Sequence, residues 1–321
     1  MGSAVDVAAA LRGRSTVLLT SHARPDGDAV GSTMALALAL ESLGVRTVPM
    51  LADPAPEPYR AFPGVDRIVI GAAATEPADA AVILECSDIS RPGISGLDRY
   101  FVVNVDHHLG NTSYGAVNWF DGSACACGEM VADIIDALGV KWTPEIATHL
   151  YLAISTDTGG FRFGPISART FEICRRLVEA GIDPSALSRQ IFDSYSIGRV
   201  RLTGALLDAM ELHHGRRFAV LAFDDALLAR CGATIDDTDG LVNLPLGARE
   251  VLAVALFKAA GDGTWRVSLR SKGRVDVRSV AIRWGGGGHT NAAGLTVPGP
   301  LAAAKAAVVE ALGAALADAG E

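Results

Sequence analysis

The sequence predicts an α/β protein, in which an N-terminal domain on a doubly wound parallel sheet precedes a smaller C-terminal α/β domain. Two patterns indicate this fold class. In the first half, short apolar β-type runs alternate with longer helical patterns, an order typical of parallel sheets. Later, β-type runs lie close together and an Ala-rich helix ends the chain. The 321 residues, half of them apolar, exceed the usual length of one hydrophobic core and can fill two.

The N-terminal elements follow in chain order from local composition. Apolar β-type runs predict the strands, and Ala- and Leu-rich stretches of good helix formers predict the helices. We expect strands over residues 16–20, 45–51, 80–84 and 100–105, and helices over residues 28–43, 128–138, 145–157 and 168–180.

The segment 183–213 shows mixed helical signals and contains Gly198 and Gly204, so it predicts the connection between the domains. The chain beyond it predicts strands over residues 217–223, 251–258 and 264–270, and a last helix over residues 301–317. The expected organisation is an N-terminal domain over residues 1–185, a linker over residues 186–213 and a C-terminal domain over residues 214–321.

Charge and cysteine content limit the function classes. A net charge of -8 argues against a protein that binds long duplex nucleic acid, because such binding uses many Lys and Arg side chains. Five cysteines without paired C-x-x-C spacing indicate neither a disulfide framework nor a zinc knuckle. We expect a cytoplasmic protein, because its thiols should be reduced and no signal-peptide pattern is found. We expect no membrane partner, because no apolar run reaches about eighteen residues.

Histidines and aspartates follow two of the predicted strands. His22, Asp26 and Asp28 come after the first strand, and His107 comes after the fourth, where open α/β sheets bind their ligands. Imidazole and carboxylate groups without a thiolate suit manganese, zinc or iron. Two carboxylates about 4 Å apart repel by about 4 kcal/mol at an effective dielectric near ~20, and a divalent cation would compensate this repulsion. The alternative is that residues 25–28 form only a turn.

Asp157 is a further acidic candidate. It lies in the segment Ser-Thr-Asp-Thr-Gly-Gly-Phe at residues 155–161, which closes a predicted helix. The alternative is that Gly159 simply terminates the helix, in which case Asp157 would have no role at a site.

Four segments together resemble the DHH phosphoesterases, and within them the nanoRNase and phosphoadenosine-phosphate phosphatase branch. They are His22-x-x-Pro25-Asp26-Gly27-Asp28-Ala29-x-Gly31-Ser32, Asp106-His107-His108, Thr156-Asp157-Thr158-Gly159 and Gly285-Gly286-Gly287-Gly288-His289-x-x-Ala292-Ala293-Gly294. The last segment is the signature of the DHH-associated C-terminal domain, so the resemblance spans nearly the whole chain.

The resemblance implies a two-metal centre. In it, His22 and Asp26 would hold one ion, and Asp28, His107 and Asp157 would hold the other. Asp106 would orient the neighbouring histidines, and His108 would face the substrate phosphate and stabilise it or assist proton transfer. The implied cofactors are two divalent cations, with Mn²⁺ preferred and Mg²⁺ or Co²⁺ as alternatives.

One position departs from the family pattern. The family places an aspartate after the third strand to bridge both ions, but here the strand leads into Glu85, one methylene longer. We expect Glu85 to be a metal ligand. Asp88, three residues later, is the alternative.

The resemblance places substrate binding mainly in the C-terminal domain, so that the active site would lie in the cleft between the domains. The residues expected to bind substrate are Arg91, Arg270, Ser271, Gly286, Gly287, Gly288 and His289. Successive glycines can expose backbone amides to a phosphate. The alternatives are a flexible glycine loop and a solvated basic loop.

The implied reaction is phosphoester hydrolysis by metal-activated water. The implied substrates and partners are short oligoribonucleotides, linear dinucleotides and 3'-phosphoadenosine 5'-phosphate, without long duplex nucleic acid, and the family also makes a homodimer plausible. Three rival hypotheses remain open. They are a non-catalytic nucleotide sensor, a single-strand exonuclease and an inorganic pyrophosphatase of the same superfamily.

Overall fold

The computed structural model describes residues 2–320, except for the side chain of His289. The chain forms two compact units, Met1–Ser194 and Tyr195–Glu321. Their boundary falls within the segment 186–213 that the sequence predicts as a connection. In the described part of the chain, no helix combines the length and the apolar character needed to cross a bilayer.

A six-stranded parallel sheet forms the centre of the first unit, as the sequence predicts. Its strands are β1 (Thr16–Thr20), β2 (Arg46–Leu51), β3 (Val69–Ile70), β4 (Ala80–Leu84), β5 (Val102–Asp106) and β6 (Val117–Phe120). They are arranged in the order β3-β2-β1-β4-β5-β6, and all neighbours are parallel. The chain order reverses between β1 and β4. In open α/β sheets, ligands bind beyond the carboxyl ends of the strands at such a point.

Helices cover one face of this sheet. They are α1 (Ala4–Leu11), α2 (Gly27–Ser42), α3 (Cys127–Leu138), α4 (Pro144–Asp157), α5 (Ala168–Glu179) and α6 (Pro184–Phe192). Val17 and Leu19 of β1 face this helical layer, whereas Leu18 points to a second cluster on the opposite face, which includes Ile94 and Leu97. Because side chains alternate along a strand, a short apolar run serves both cores.

Two glycines of α2 allow it to lie directly against α4. A Cβ at Gly27 would lie 2.4 Å from the Thr156 side chain, and one at Gly31 would lie 2.5 Å from the carbonyl oxygen of His149. This close contact brings the amino end of α2, with its aspartates, next to Asp157 at the carboxyl end of α4. The glycines of the first motif therefore position the acidic residues.

The second unit contains a mixed six-stranded sheet. Its strands are β7 (Glu211–His213), β8 (Phe218–Phe223), β9 (Ala253–Ala259), β10 (Thr264–Ser271), β11 (Gly287–His289) and β12 (Ala292–Pro298), and its helices are α7 (Ile197–Asp208), α8 (Asp225–Cys231), α9 (Val277–Ile282) and α10 (Leu301–Asp318). The order is β11-β12-β10-β9-β8-β7, and only β8 and β9 run parallel. Phe218 and Val220 face the core with α10, and Ala219 and Leu221 face the core with α7 and α8. The predicted C-terminal α/β character is confirmed.

The glycine run of the second unit forms a strand edge. A Cβ at Gly286 would lie 2.2 Å from the carbonyl oxygen of Gly294, and one at Gly288 would lie 2.4 Å from that of Ala292. These glycines let β11 and its approach lie against β12. A Cβ at Gly287, between them, would meet no atom within 4 Å, so this position stays open to a ligand.

Candidate metal centre

The carboxyl ends of β1, β4 and β5 and the end of α4 bring together the histidines and acids of the N-terminal motifs. Two groups place their ligand atoms within 4.8 Å of one another, Asp28 with His107 and Asp157, and Glu85 with His107 and His108. The first group is the set that the resemblance assigns to one ion. His107 belongs to both groups, so they form one continuous cluster.

His22 and Asp26 lie at the loop that follows β1, and neither belongs to the two ligand groups. Nε2 of His22 lies 3.6 Å from Oδ2 of Asp26. Burial works to lower the pKa of His22, but the Asp26 carboxylate, the Ala23 carbonyl and Glu85 together raise it above its usual value. Asp26 also caps α2, because its Oδ1 accepts a hydrogen bond from the Ala29 amide at 3.0 Å.

Backbone carbonyls fix the orientation of two histidine rings. Nδ1 of His107 lies 3.0 Å from the carbonyl oxygen of Ala124, and Nδ1 of His22 lies 3.0 Å from that of Ala23. A carbonyl only accepts, so each Nδ1 carries the hydrogen and each Nε2 can present a lone pair to the cluster. Metal-binding histidines are oriented in this way.

Nε2 of His107 shows that the donor set fits a cation. This atom is buried and makes no hydrogen bond within the described residues. It lies 3.2 Å from Oε1 of Glu85 and 3.6 Å from Oδ2 of Asp157. A buried nitrogen surrounded by carboxylate oxygens requires a proton or a metal ion. When no cation is bound, burial lowers the pKa of His107, but Glu85, Asp28 and Asp157 outweigh it and raise the pKa to about 11.

Asp28 is fixed by three hydrogen bonds. Its Oδ1 accepts from the Ser32 hydroxyl at 2.6 Å and the Gly128 amide at 3.0 Å, and its Oδ2 accepts from the Cys127 amide at 2.6 Å. Both amides belong to the first turn of α3, whose positive end favours a carboxylate. Even so, burial and the nearby Glu85 raise the pKa of Asp28 well above its usual range.

Glu85 is the buried acid at the centre of the cluster. Its Oε1 faces His107, and its Oε2 lies 3.0 Å from Nδ1 of His108. Burial works to raise the pKa of Glu85, but Asp28 and the two histidines lower it well below its usual value. Asp28 and Glu85 thus titrate as a coupled pair, and a divalent cation held by this cluster would favour the charged form of both carboxyl groups.

Asp88, the alternative ligand, faces elsewhere. Its Oδ1 accepts hydrogen bonds from the Ser90 amide at 2.9 Å and the Ser90 hydroxyl at 2.6 Å. These bonds stabilise the turn after β4. Asp88 belongs to neither ligand group.

Asp106 holds His108 in place. Its Oδ1 accepts from the backbone amide of His108 at 3.1 Å and lies 2.9 Å from Nδ1, and its Oδ2 accepts from Nδ2 of Asn111 at 2.7 Å. Burial lowers the pKa of His108, but Asp106 and Glu85 raise it to about 9. The His108 side chain is 33% exposed, so a substrate can reach it.

A loop that the sequence analysis did not single out supports two of these ligands. Ala124 accepts from His107, and the amides of Cys127 and Gly128 donate to Asp28. The loop is itself held by Glu129, which is 1% exposed and whose Oε2 accepts from the Cys125 amide at 2.9 Å. A glutamate in the first turn after a predicted helix start is a capping signal that could have indicated it.

The expected substrate-binding residues outside the cluster differ in their surroundings. The Ser271 hydroxyl donates to the carbonyl oxygen of Val275 at 2.6 Å, and Nη1 of Arg270 donates to that of Leu269 at 2.9 Å. Burial lowers the pKa of Arg270. The carbonyl oxygen of Arg91 accepts from the Ala23 amide at 2.9 Å, which ties its loop to the one that carries His22. The His289 side chain lies outside the described residues.

Comparison with known proteins agrees with this geometry. The sequence profile of the DHH family, N-terminal domain, matches residues 16–154, and that of the DHHA1 domain matches residues 224–318. A Thermus thermophilus protein named bifunctional oligoribonuclease and PAP phosphatase NrnA is 33% identical over 88% of this chain and 84% of its own length. The chain belongs to the DHH family. A Bacillus subtilis protein of the same name is 28% identical over 88% of this chain and 89% of its own.

Solved structures share the fold of this chain. An exopolyphosphatase-related protein from Bacteroides fragilis superposes with a TM-score of 0.91 at 23% identity, covering 99% of this chain and 98% of its own. An exonuclease RecJ bound to manganese superposes with a TM-score of 0.58 at 15% identity, covering 98% and 95%. At these identities the likeness concerns the fold.

Proposed function

We propose that this chain is a metal-dependent phosphoesterase that hydrolyses short oligoribonucleotides, linear dinucleotides and 3'-phosphoadenosine 5'-phosphate. The observation that carries the proposal is the buried cluster at the carboxyl ends of β1, β4 and β5, in which His107 faces Glu85 and Asp157 through a buried Nε2. Oligoribonuclease and PAP phosphatase are the activities named for its relatives.

We propose that the cluster holds two divalent cations, with Mn²⁺ as the preferred ion and Mg²⁺ or Co²⁺ as alternatives. Its donors are carboxylates and imidazoles, without a thiolate ligand, which suits these ions. The residues that would hold them are His22, Asp26, Asp28, Glu85, His107 and Asp157. When bound, two such cations supply positive charge to phosphoryl oxygens and lower the pKa of a water molecule.

The chain's own residues orient the reactants. His108, held by Asp106 and partly exposed, would donate a hydrogen bond to a phosphoryl oxygen through Nε2, because its Nδ1 faces Asp106. The amides of α3 keep Asp28 in place. We expect Asp106 to act on catalysis only through His108.

Substrate binding would extend beyond the cluster. We assign it to Arg91, Arg270, Ser271, Gly286, Gly287, Gly288 and His289, within a catalytic domain over residues 1–185, a linker over residues 186–213 and a substrate domain over residues 214–321. The space around Gly287 is open, which supports the assignment of the glycine segment to phosphate binding. We further propose a cytoplasmic protein, since its five cysteines are free thiols. A homodimer is compatible with this proposal.

The test compares Mn²⁺-dependent hydrolysis of a labelled RNA dinucleotide, a longer RNA, 3'-phosphoadenosine 5'-phosphate and pyrophosphate. We expect rapid cleavage of the dinucleotide and the bisphosphate, lost in Asp28→Ala and kept in Asp66→Ala, which removes an exposed acid distant in sequence from the motifs. Pyrophosphate as the only substrate would favour the pyrophosphatase hypothesis, and preferred cleavage of the longer RNA would favour the exonuclease. Nucleotide binding without cleavage would leave the sensor hypothesis.

A further inference from the structure

The loop that follows Asp157 turns an aromatic side chain toward solvent. Phe163 is 62% exposed, whereas Phe161, two residues earlier, is half-buried and its ring stacks on Phe171 at 5.7 Å between centroids. Phe161 thus packs against the protein, whereas Phe163 is exposed to solvent. An exposed phenyl ring leaves an apolar face open to contact with another molecule.

Thr158 fixes the shape of this loop. Its hydroxyl donates to the carbonyl oxygen of Ile154 at 2.6 Å and accepts from the amide of Phe161 at 3.0 Å. Its carbonyl oxygen accepts from the amides of Arg162 at 2.8 Å and Phe163 at 2.9 Å. The loop is therefore tied to the last turn of α4, the same turn that ends with Asp157.

The ring of Phe163 lies against the backbone of Gly159. A Cβ at Gly159 would lie 2.7 Å from Cδ2 of Phe163, and Gly159 has a φ of 57°. Gly159 is two residues from Asp157, so the ring is close to a candidate metal ligand. Glycine at this position allows both the turn and the contact with the ring.

A cation and a second apolar side chain accompany this ring. Nε of Arg162 donates to the carbonyl oxygen of Gly159 at 2.6 Å, and its guanidinium carbon lies 5.4 Å from the Phe163 centroid. Leu109, which directly follows His108, is 81% exposed. Single exposed apolar residues are ordinary on protein surfaces, but these two stand on the loops that carry Asp157 and His108.

We propose that Phe163 is a stacking platform for a nucleobase of the substrate, which presupposes the proposed hydrolysis of nucleotides. A nucleobase has a flat apolar face that matches an exposed ring, and its phosphate can lie near Arg162 and the metal centre. Stacking accepts any base, because every base has a π-face. The platform would thus select nucleotides over phosphate esters that lack a base, without selecting among bases.

Two substrates with the same phosphodiester test this role, an RNA dinucleotide and its counterpart with abasic sugars. Stacking on an aromatic side chain is worth about 5- to 150-fold per base when the residue is changed to alanine. We expect Phe163→Ala to lower kcat/KM for the dinucleotide, mainly through KM, by about tenfold more than for the abasic compound. Phe163→Trp should restore the preference, and Phe163→Leu should not. Phe101→Ala, at the amino end of β5, is the matched control.

Binding gives a second measurement that needs no turnover. A dinucleotide that contains 2-aminopurine should lose fluorescence on binding to Asp28→Ala protein, because stacking quenches this base, and the added Phe163→Ala change should remove the quenching. Equal losses of kcat/KM on both substrates in Phe163→Ala, or quenching that persists in this variant, would contradict the role of Phe163 as a platform. A wild-type protein that cleaves neither substrate but still shows Phe163-dependent quenching would refute the proposed hydrolysis and leave the platform intact.

Discussion

Glu85 combines a buried carboxylate with a left-handed backbone. Its φ is 61°, a conformation that costs a non-glycine residue on the order of 1–3 kcal/mol. Its amide still pairs with the carbonyl oxygen of Val105 at 3.0 Å, so the ladder to β5 maintains the turn. Glu85 follows the last residue of β4, and this backbone conformation directs its carboxylate toward His107 and His108, which follow β5.

Changing Glu85 to Gln should remove a metal ligand and leave the fold. We expect Mn²⁺ affinity and dinucleotide cleavage to fall by more than the about 10- to 100-fold typical of losing an outer partner of a metal ligand. Asp88→Asn is the matched control, because Asp88 bonds only within its own turn among the contacts described. Isothermal titration with Mn²⁺ measures both. Loss of binding in Asp88→Asn, with Glu85→Gln unaffected, would reverse the assignment.

His149 makes the first unit sensitive to acid. Its side chain is fully buried, Nε2 lies 2.8 Å from the carbonyl oxygen of Pro63, and burial lowers its pKa to about 4. In the unfolded chain His149 takes up a proton at pH ~6.5, whereas in the folded chain it stays neutral until the pH nears 4. The free energy of unfolding therefore falls as the pH drops through this range.

Between pH 7 and pH 5 we expect the free energy of unfolding to fall by about 2 kcal/mol more in wild type than in His149→Gln. Glutamine can keep a donor toward Pro63 but does not titrate. Urea unfolding followed by tryptophan fluorescence measures the difference. Identical pH dependence in the two proteins would show that His149 is not held neutral by the fold.

At the scale of elements, the contact between α2 and α4 determines where the acids meet. A Cβ at Gly31 would lie 2.5 Å from the carbonyl oxygen of His149 and 2.8 Å from the amide nitrogen of Ala153, and backbone atoms cannot move aside cheaply. Gly31→Ala should therefore destabilise the protein by about 1–3 kcal/mol and lower activity by separating Asp28 from Asp157.

Gly204→Ala is the matched control for this substitution. Gly204 lies inside α7 with no atom within 4 Å of a Cβ position, so alanine should stabilise the helix by about 0.5–1 kcal/mol. Thermal unfolding and dinucleotide cleavage measure both variants. Equal stability of the two would mean that α2 and α4 do not require a glycine contact.

The loop between β6 and α3 is the second element that shapes the site. Glu129 holds Cys125, and the loop in turn holds His107 and Asp28. We expect Glu129→Ala to weaken Mn²⁺ binding by about 10- to 100-fold. Glu129→Gln, which retains an acceptor oxygen, should recover most of it, and Glu172→Ala, an exposed acid on α5, should have no effect. A folded Glu129→Ala protein with normal Mn²⁺ affinity would contradict this role.

The sequence predicted the long elements well because their periodicity is strong. Strands β1, β4 and β5 and helices α2 and α10 lie within about two residues of the expected bounds. The short strands β3, β6, β7 and β11 were missed, since two to four residues carry no periodic signal and form only by pairing with a neighbour. The seven-residue strand β12 was also missed, although its side chains alternate between buried and exposed. Of the site, the side chains could be predicted from the motifs. The carbonyl of Ala124 and the amides of Cys127 and Gly128 could not, because a helix-start signal at Glu129 does not show which side chains the backbone groups before it will bind.

At the scale of the whole molecule, the net charge and the candidate cation site together determine which substrates can bind. The chain carries a net charge of -8, and its cluster concentrates acids in a buried place. Without cations such a site repels phosphates, whereas two divalent ions bound there would reverse its local field. An acidic surface favours a small substrate over a long duplex. The DHH profile precedes the DHHA1 profile along the chain, and the candidate metal cluster lies in the first unit.

The most direct test of the two-metal centre is the number and coupling of Mn²⁺ ions bound per chain. Equilibrium binding with electron paramagnetic resonance should show two ions per chain, with the signal of a spin-coupled pair, and Asp28→Ala should lose at least one ion together with the coupling. A single uncoupled ion, or a count unchanged by Asp28→Ala, would contradict the centre described for these residues.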